Sequence, residues 1–169
     1  FANVFGGTVK NLTVDGTMGT VLDSPGYQGV CPLVGVLHGG LIQNCTNDVD
    51  IKVNAHFGNI AMAGVCRTMQ NGTIENCTNN GEITFNAALT APTNIYAGGI
   101  VALVGKNYGT GGFGSPSSDA SEPFAGAVTI SGCTNSKPVS LTNTATDANN
   151  RMQYCAVGGI AGWIWGGVL

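Results

Sequence analysis

The chain has 169 residues, a length that suits one domain, and only 9% of them are charged. The net charge is −3 and the six Lys and Arg residues are scattered, so the sequence gives no electrostatic basis for binding nucleic acid or an anionic membrane. No run reaches about 18 apolar residues, and no amphipathic pattern lasts three helical turns, so we predict neither a membrane span nor long helices.

In chain order, the first predicted elements belong to a short phrase that occurs four times. The copies begin at Gly7, Gly40 and Gly72, with a looser copy at Ala127. In each copy a branched apolar residue stands three places before a central Leu or Cys, and a threonine follows the central residue. The apolar sites of the first three copies are 33 and 32 residues apart, a period typical of solenoids. The aligned sites are Val9, Ile42, Ile74 and Ile130 (apolar), Leu12, Cys45, Cys77 and Cys133 (central), and Thr13, Thr46, Thr78 and Thr134.

Two further strands are predicted for each repeat. A second phrase, of small and branched apolar residues, is too short and too rich in glycine for a helix, so it predicts buried strands. A third strand follows the repeat phrase, because apolar residues alternate at 51 and 53, 83 and 85, and 139 and 141. The copies of the second phrase are Val34–Leu37, Ile60–Val65, Gly98–Gly105 and Gly158–Trp165.

Three strands in about 32 residues predict an all-β fold, namely a parallel β-helix or β-solenoid with about four to five coils of about 32–40 residues each. Right-handed winding is the default for parallel crossovers. We predict one domain over residues 1–169, in which residues 111–126 form an inserted loop. That run is rich in Gly, Ser and Pro and lacks a strand pattern.

The two ends of the sequence read as parts of coils. Gly166–Leu169 matches Gly39–Ile42, and neither end carries a polar capping element. Repeat proteins need caps to cover their terminal edges. We therefore expect a piece of a longer solenoid, or a module whose uncapped ends stack on neighbouring coils or on another copy of the chain.

One longer pattern runs from Gly-Gly-Ile-Val through Gly-x-Asn-x-Gly-Thr-Ile-x-Asn-Cys to x-Asn-x-Gly-x-Ile. Four stretches of the chain match its successive parts: Gly98-Gly-Ile-Val101, Gly105-Lys-Asn-Tyr-Gly-Thr110, Gly72-Thr-Ile-Glu-Asn-Cys77 and Asn79-Asn-Gly-Glu-Ile83. This pattern resembles the GLUG-type repeats of bacterial surface proteins, which also occur in the non-catalytic part of immunoglobulin-A-cleaving metallopeptidases. The resemblance covers nearly the whole chain, and it departs at residues 111–126 and at Leu12, which replaces Cys. It implies a secreted or cell-surface bacterial protein with a β-solenoid fold and a role in adhesion or display.

The six cysteines are compatible with disulfides in a secreted chain, but their positions favour free thiols. Cys45, Cys77 and Cys133 occupy one repeat site at which Leu12 substitutes, so we predict buried thiols that behave as small apolar residues. Stacked side chains at this site point in parallel, which suits a ladder better than a bond. The same prediction covers Cys31, Cys66 and Cys155.

Asparagines form a second repeated set. Asparagine tolerates left-handed backbone and bonds to nearby backbone groups, so we predict stacks of asparagines that satisfy amides at the turns. This explanation also accounts for most of the Asn-x-Thr triplets, which otherwise read as glycosylation acceptors. The asparagines are Asn11, Asn44 and Asn76 directly before the central residue, and Asn47, Asn79 and Asn135 two places after it.

Carboxylates at equivalent repeat positions give the candidate metal site. Asp50 and Glu82 each follow a central cysteine by five residues, so stacked repeats would place them about 5 Å apart, with Asp48 nearby. That separation suits a shared calcium ion or a retaining glycosidase pair. The alternative, which we favour, is a solvated outer face, so we predict no metal site. His38 and His56 have no metal-ligand spacing, and we predict no zinc site and no cofactor.

Aromatic residues near the predicted loop are the candidate binding residues. Aromatic side chains on a projecting loop suit sugar stacking or protein docking, whereas the alternative is that they hold the loop on its own coil and contribute to the core. The candidates are Tyr108, Phe113, Phe124, Trp163 and Trp165.

These features favour a non-enzymatic extracellular or cell-surface module that recognises a host or microbial glycan or a surface protein, or that serves for structural display. The first alternative is a polysaccharide-cleaving enzyme, since parallel β-helices host such enzymes. Such sites need several acidic and basic groups on one face, and the sequence offers one carboxylate pair. The second alternative is a self-stacking fibre subunit.

Overall fold

The computed structural model of the chain describes residues 1–23, 27–105 and 127–165. All regular structure in these ranges is β-strand, and none of the described segments is a helix that could cross a membrane. The strands are β1 (Asn3–Phe5), β2 (Thr8–Lys10), β3 (Thr13–Leu22), β4 (Tyr27–Val30), β5 (Val34–Gln43), β6 (Thr46–Ala55), β7 (Asn59–Ala63), β8 (Cys66–Glu75), β9 (Thr78–Asn79), β10 (Ile83–Ala87), β11 (Thr93–Gly98), β12 (Val101–Gly105), β13 (Val128–Ser131), β14 (Thr134–Asn135), β15 (Val139–Asn143), β16 (Met152–Gly158) and β17 (Ala161–Trp165).

The described strands form three sheets in which the paired strands are parallel. Sheet A has seven strands, sheet B six and sheet C four. The chain visits them in a fixed order, so that β5, β6 and β7 lie in sheets A, B and C, and the next strands follow in the same way. We call each pass one repeat: β1–β4, β5–β7, β8–β11 and β12–β16, after which β17 returns to sheet A. The predicted all-β class with parallel strands is confirmed.

The register between repeats follows the aligned sites of the repeat phrase. In sheet A, Ile42 pairs with Val9 on one side and with Ile74 on the other, and Ile74 pairs with Ile130. In sheet B, Thr78 pairs with the equivalent threonines of the repeats before and after it. The predicted alignment of the four copies is therefore confirmed. The strands β12 and β13 pair with successive stretches of β8, and the predicted inserted loop, 111–126, lies outside the described residues.

Two large clusters of buried apolar side chains form the core. One joins sheet A to the start of sheet B through residues such as Ile74 and Cys77, and the other joins sheet B to sheet C through residues such as Phe85. In β10 the buried Ile83 and Phe85 alternate with Thr84 and Asn86, as predicted. Burying one such large side chain contributes roughly 1.5–3 kcal/mol, so the stacked apolar sites are the main source of stability.

Sheet C is apolar on both faces. In β7, Ile60 and Met62 belong to the second core cluster, whereas Ala61 and Ala63 pack in a third cluster with Tyr96 of β11. Strands covered on both faces have continuous apolar sequences rather than alternating ones. This explains why the second phrase contains unbroken runs of apolar residues.

The prediction that each copy of the second phrase is one strand is wrong. Ile60–Ala63 lies in sheet C and Val34–Leu37 in sheet A, whereas the runs at 98–105 and 158–165 end one strand in sheet C and begin the next in sheet A. The chain turns at the glycines. The turn brings the backbone so close that a Cβ atom on Gly98 would clash with the carbonyl of Val101. Glycine is required there by this close backbone approach.

Candidate functional site

A ladder of side-chain amides runs through the described repeats. The Asn47 Nδ2 donates to Asn79 Oδ1 at 2.6 Å, and the Asn79 Nδ2 donates to Asn135 Oδ1 at 2.7 Å. Each amide nitrogen also donates to a backbone carbonyl two residues later in its own turn, for example Asn79 to Gly81 at 2.8 Å. Asn47 and Asn79 are fully buried. The predicted asparagine stack is confirmed, and its physical role is to satisfy buried turn amides.

The other asparagine set holds the backbone turn before each central residue. Asn11, Asn44 and Asn76 have φ values of 56°, 52° and 52°, and the fourth repeat has Gly132 with φ 60° at the same place. Asparagine and glycine are the residues that adopt left-handed backbone at least cost. The sequence prediction of left-handed asparagines is confirmed.

All six cysteines are free. The thiols of Cys45, Cys77 and Cys133 each donate to a carbonyl of the preceding repeat at 3.7 Å. Burial holds for Cys45, Cys66 and Cys77, and it raises the pKa of the Cys66 thiol. The prediction of burial is wrong for Cys155, which is exposed because it lies in β16, an edge strand of sheet C that pairs only with β11 among the described strands. The prediction holds only in part for Cys31 and Cys133, which are half-buried.

The structure gives the candidate carboxylates separate hydrogen bonds. Asp48 Oδ1 accepts from the Asn80 side chain at 2.9 Å, Asp50 Oδ1 accepts from the Glu82 backbone N–H at 2.9 Å, and the Glu82 carboxylate accepts from Thr84 Oγ1 at 3.2 Å. Within the described residues, no three His, Cys, Asp or Glu side chains form a group that could hold a metal ion. The candidate calcium ligands Asp48, Asp50 and Glu82 are thus not brought together as a ligand group.

Of the candidate aromatic residues, Trp163 is the one whose side chain is described. Its ring lies edge-on to that of the buried Tyr96, with centroids 5.8 Å apart and planes at 78°. It packs against the third apolar cluster, so the packing alternative applies to Trp163. The backbone of Trp165 ends β17, and Tyr108, Phe113 and Phe124 lie outside the described residues.

A cleft opens where the chain passes from sheet B to sheet C, and we call it the corner cleft. Its volume is about 330 Å³. Three successive repeats line it with amide and apolar groups. One lining residue, Asn94, has a side-chain Oδ1 that is buried without a hydrogen-bond partner. The lining residues are Phe57, Gly58, Asn59, Ala91, Pro92, Asn94 and Gln153.

An aspartate and a histidine pair directly before the cleft residues in the chain. The Asp23 carboxylate lies 2.9 and 3.0 Å from His56 Nδ1 and also accepts from the His56 backbone N–H at 3.0 Å. The hydrogen bond from His56 lowers the pKa of Asp23 below 3.8. His56 is followed by Phe57, so this pair anchors one wall of the cleft to the preceding repeat.

Sequence analysis did not identify the corner cleft or the Asp23–His56 pair. A signal for the pair was present, because the two residues are 33 apart, which is one repeat period. Two cleft residues also carried a signal, because Asn59 and Asn94 pair in register and each precedes an isoleucine. The other cleft residues stand in turns and strand ends that no repeated pattern marks. Comparison with protein-family models, curated proteins and solved structures finds no match to this chain.

Proposed function

We propose that the chain is a right-handed β-solenoid in which each repeat is one coil of the winding. Three observations support this interpretation: the repeats enter sheets A, B and C in a fixed order, equivalent residues pair between repeats, and the buried amide ladder links three of them. Right-handed winding is the usual hand of parallel crossovers.

In this proposal the module belongs to an extracellular or bacterial cell-surface protein and binds a ligand without transforming it. The resemblance to GLUG-type repeats supports the location. The described lining of the corner cleft supports binding over catalysis, because it offers amide and apolar groups and no titratable side chain that could transfer a proton.

The corner cleft favours a neutral carbohydrate as ligand. Sugars present hydroxyl donors and acceptors on a ring with an apolar face. Asn59, Asn94 and Gln153 offer side-chain amides that can donate to and accept from hydroxyls, and Phe57 offers an aromatic surface. These three amides beside an aromatic side chain in one cleft are the observation that carries this proposal.

The test is binding of the whole chain to an array of neutral and charged polysaccharides, with released reducing sugar measured in the same wells. We expect saturable binding to a neutral polysaccharide, and about tenfold weaker binding by Asn94→Ala, since one lost hydrogen bond is worth about 1–1.5 kcal/mol. Asn86→Ala, at an exposed asparagine of β10, is the matched control and should bind like the parent.

Two results would contradict the proposal. Binding that survives Asn94→Ala unchanged would place the ligand elsewhere, and absence of binding to every polysaccharide would reject a carbohydrate. Release of sugar would favour the alternative of a polysaccharide-cleaving enzyme.

A second candidate function is self-association of the chain into fibres, favoured by exposed apolar residues on strands of sheet A. Phe5 of β1 is 71% exposed and Ile164 of β17 is 38% exposed. If these surfaces stack on another copy, the sedimenting mass should rise with concentration, and Phe5→Asn should reduce that rise. A monomer at every concentration would reject this candidate.

A further inference from the structure

Two cysteines in neighbouring repeats occupy equivalent positions. Cys77 and Cys133 occupy the same repeat site, and the residues around them pair in register, Glu75 with Ser131 and Thr78 with Thr134. Each neutral thiol donates to a backbone carbonyl, and the Cys77 thiol serves as a hydrogen-bond donor to Cys133 when Cys133 is ionised. Neighbouring strands lie about 4.8 Å apart, which is within the range of Cα separations found across disulfides, about 4.4–6.8 Å.

The two thiols differ in their environment. Cys77 is fully buried, whereas Cys133 is half-buried, and within the described part of the chain no strand pairs with the other side of β13 or β14. The hydrogen bond from Cys77 lowers the pKa of Cys133 to about 7, and the same contact raises that of Cys77. A thiol reacts as its thiolate, so Cys133 is the nucleophile of the pair near neutral pH.

We propose that Cys133 and Cys77 form a thiol–disulfide exchange site that reacts with small-molecule disulfides such as oxidised glutathione. The Cys133 thiolate attacks one glutathione sulfur, forming a mixed disulfide and releasing one glutathione thiolate. The Cys77 thiol then attacks the Cys133 sulfur, and the second glutathione leaves as a thiol by taking up the Cys77 proton. In sum, two cysteine thiols are oxidised to one intrachain disulfide and one oxidised glutathione is reduced to two glutathione molecules.

The resulting bond is strained and therefore reversible. Cβ atoms joined by a disulfide lie about 3.5–4.5 Å apart, which is closer than parallel strands place them. Strained disulfides have more oxidising potentials and are reduced readily, so the reaction would mark a reversible modification and not a permanent crosslink.

The ladder contains its own control. Cys45 and Cys77 are stacked in the same register as Cys77 and Cys133, but both are fully buried. If contact alone decided the reaction, both pairs would form disulfides equally. Since exchange also needs an accessible thiolate, we expect only the pair that includes Cys133 to react.

The experiment treats the full chain with oxidised glutathione at pH 7, quenches with acid, and maps disulfides by mass spectrometry of digested protein. Because Cys155 is exposed, all proteins carry Cys155→Ser. We expect a peptide linked through Cys77 and Cys133, and we expect reduced glutathione to cleave this link. Cys77→Ala should stop at the mixed disulfide on Cys133, and Cys133→Ala should lose the linked peptide and leave Cys77 reduced. Circular dichroism verifies that each variant is folded.

Three outcomes would overturn the inference. The first is a Cys133 that stays reduced in the folded parent, and the second is a Cys45–Cys77 link formed as readily as the expected one. The third is the same pattern of links in guanidinium as in buffer, which would show that the folded geometry does not select the pair.

Discussion

Replacing Asn79 by leucine tests the amide ladder at its centre. Asn79 is fully buried, and its side chain makes three hydrogen bonds of 2.6–2.8 Å, to Asn47, Gly81 and Asn135. Leucine has the same branched shape at Cγ but can neither donate nor accept, so the substitution removes the hydrogen bonds and still fills the site.

The expected loss of unfolding free energy follows from the groups left behind. The Gly81 carbonyl and the Asn135 Oδ1 both lose their donor, whereas the Asn47 Nδ2 keeps its bond to the Val49 carbonyl at 3.2 Å. A buried polar group without a partner costs about 1–3 kcal/mol, and Asn135 is only half-buried, so we expect a loss of about 2–4 kcal/mol from the two groups. That is a large fraction of the about 5–15 kcal/mol typical of a domain.

Urea unfolding followed by circular dichroism measures this loss as a lower midpoint at unchanged slope. Asn80→Leu is the matched control, because Asn80 is exposed and makes one surface hydrogen bond, to Asp48. It should change the unfolding free energy by less than about 1 kcal/mol. Equal losses for the two variants would refute the claim that the buried ladder stabilises the fold.

Three further predictions concern the turns. Gly64→Ala should cost about 2 kcal/mol or more in thermal or urea unfolding, because its Cβ would clash with the Asn79 amide, and a cost near zero would contradict the packing. Asn44→Gly should be nearly neutral, whereas Asn44→Val should cost roughly 1–2 kcal/mol at φ 52°; equal costs would contradict a left-handed turn. The folded pKa of Asp23 is lowered by His56, so this carboxylate contributes stability above pH 3.8 that is lost as the pH falls through the folded value. In Asp23→Asn the melting temperature should fall less steeply as the pH is lowered through that acid range. An unchanged dependence of the melting temperature on pH would reject a contribution of the Asp23 carboxylate to stability.

The sequence predicted the strand class and the register because both depend on a repeated pattern. The spacing of Val9, Ile42 and Ile74 sets the pairing in sheet A, and each repeated asparagine reports a turn with a fixed backbone geometry. These features are local or periodic, so a single sequence contains them.

The boundaries of the apolar strands and the candidate site could not be predicted in the same way. The run at 98–105 has no polar residue at the point where the chain turns from sheet C into sheet A, and only Gly98 and Gly99 mark the turn. The corner cleft combines Phe57, Asn94 and Gln153, which are not at equivalent repeat positions. Their proximity depends on the lengths of the turns after sheet B, which differ between repeats.

Detecting contacts between the ladder amides is the most direct test of the central claim, which is that successive repeats stack in register. The measurement is NMR of protein labelled with ¹⁵N at asparagine, recording side-chain amide exchange with D₂O and NOEs between side-chain amides. In-register stacking predicts slow exchange of the Asn79 amide protons and NOEs from Asn79 to Asn47 and Asn135. Fast exchange at Asn79 without either NOE would contradict the stacked arrangement.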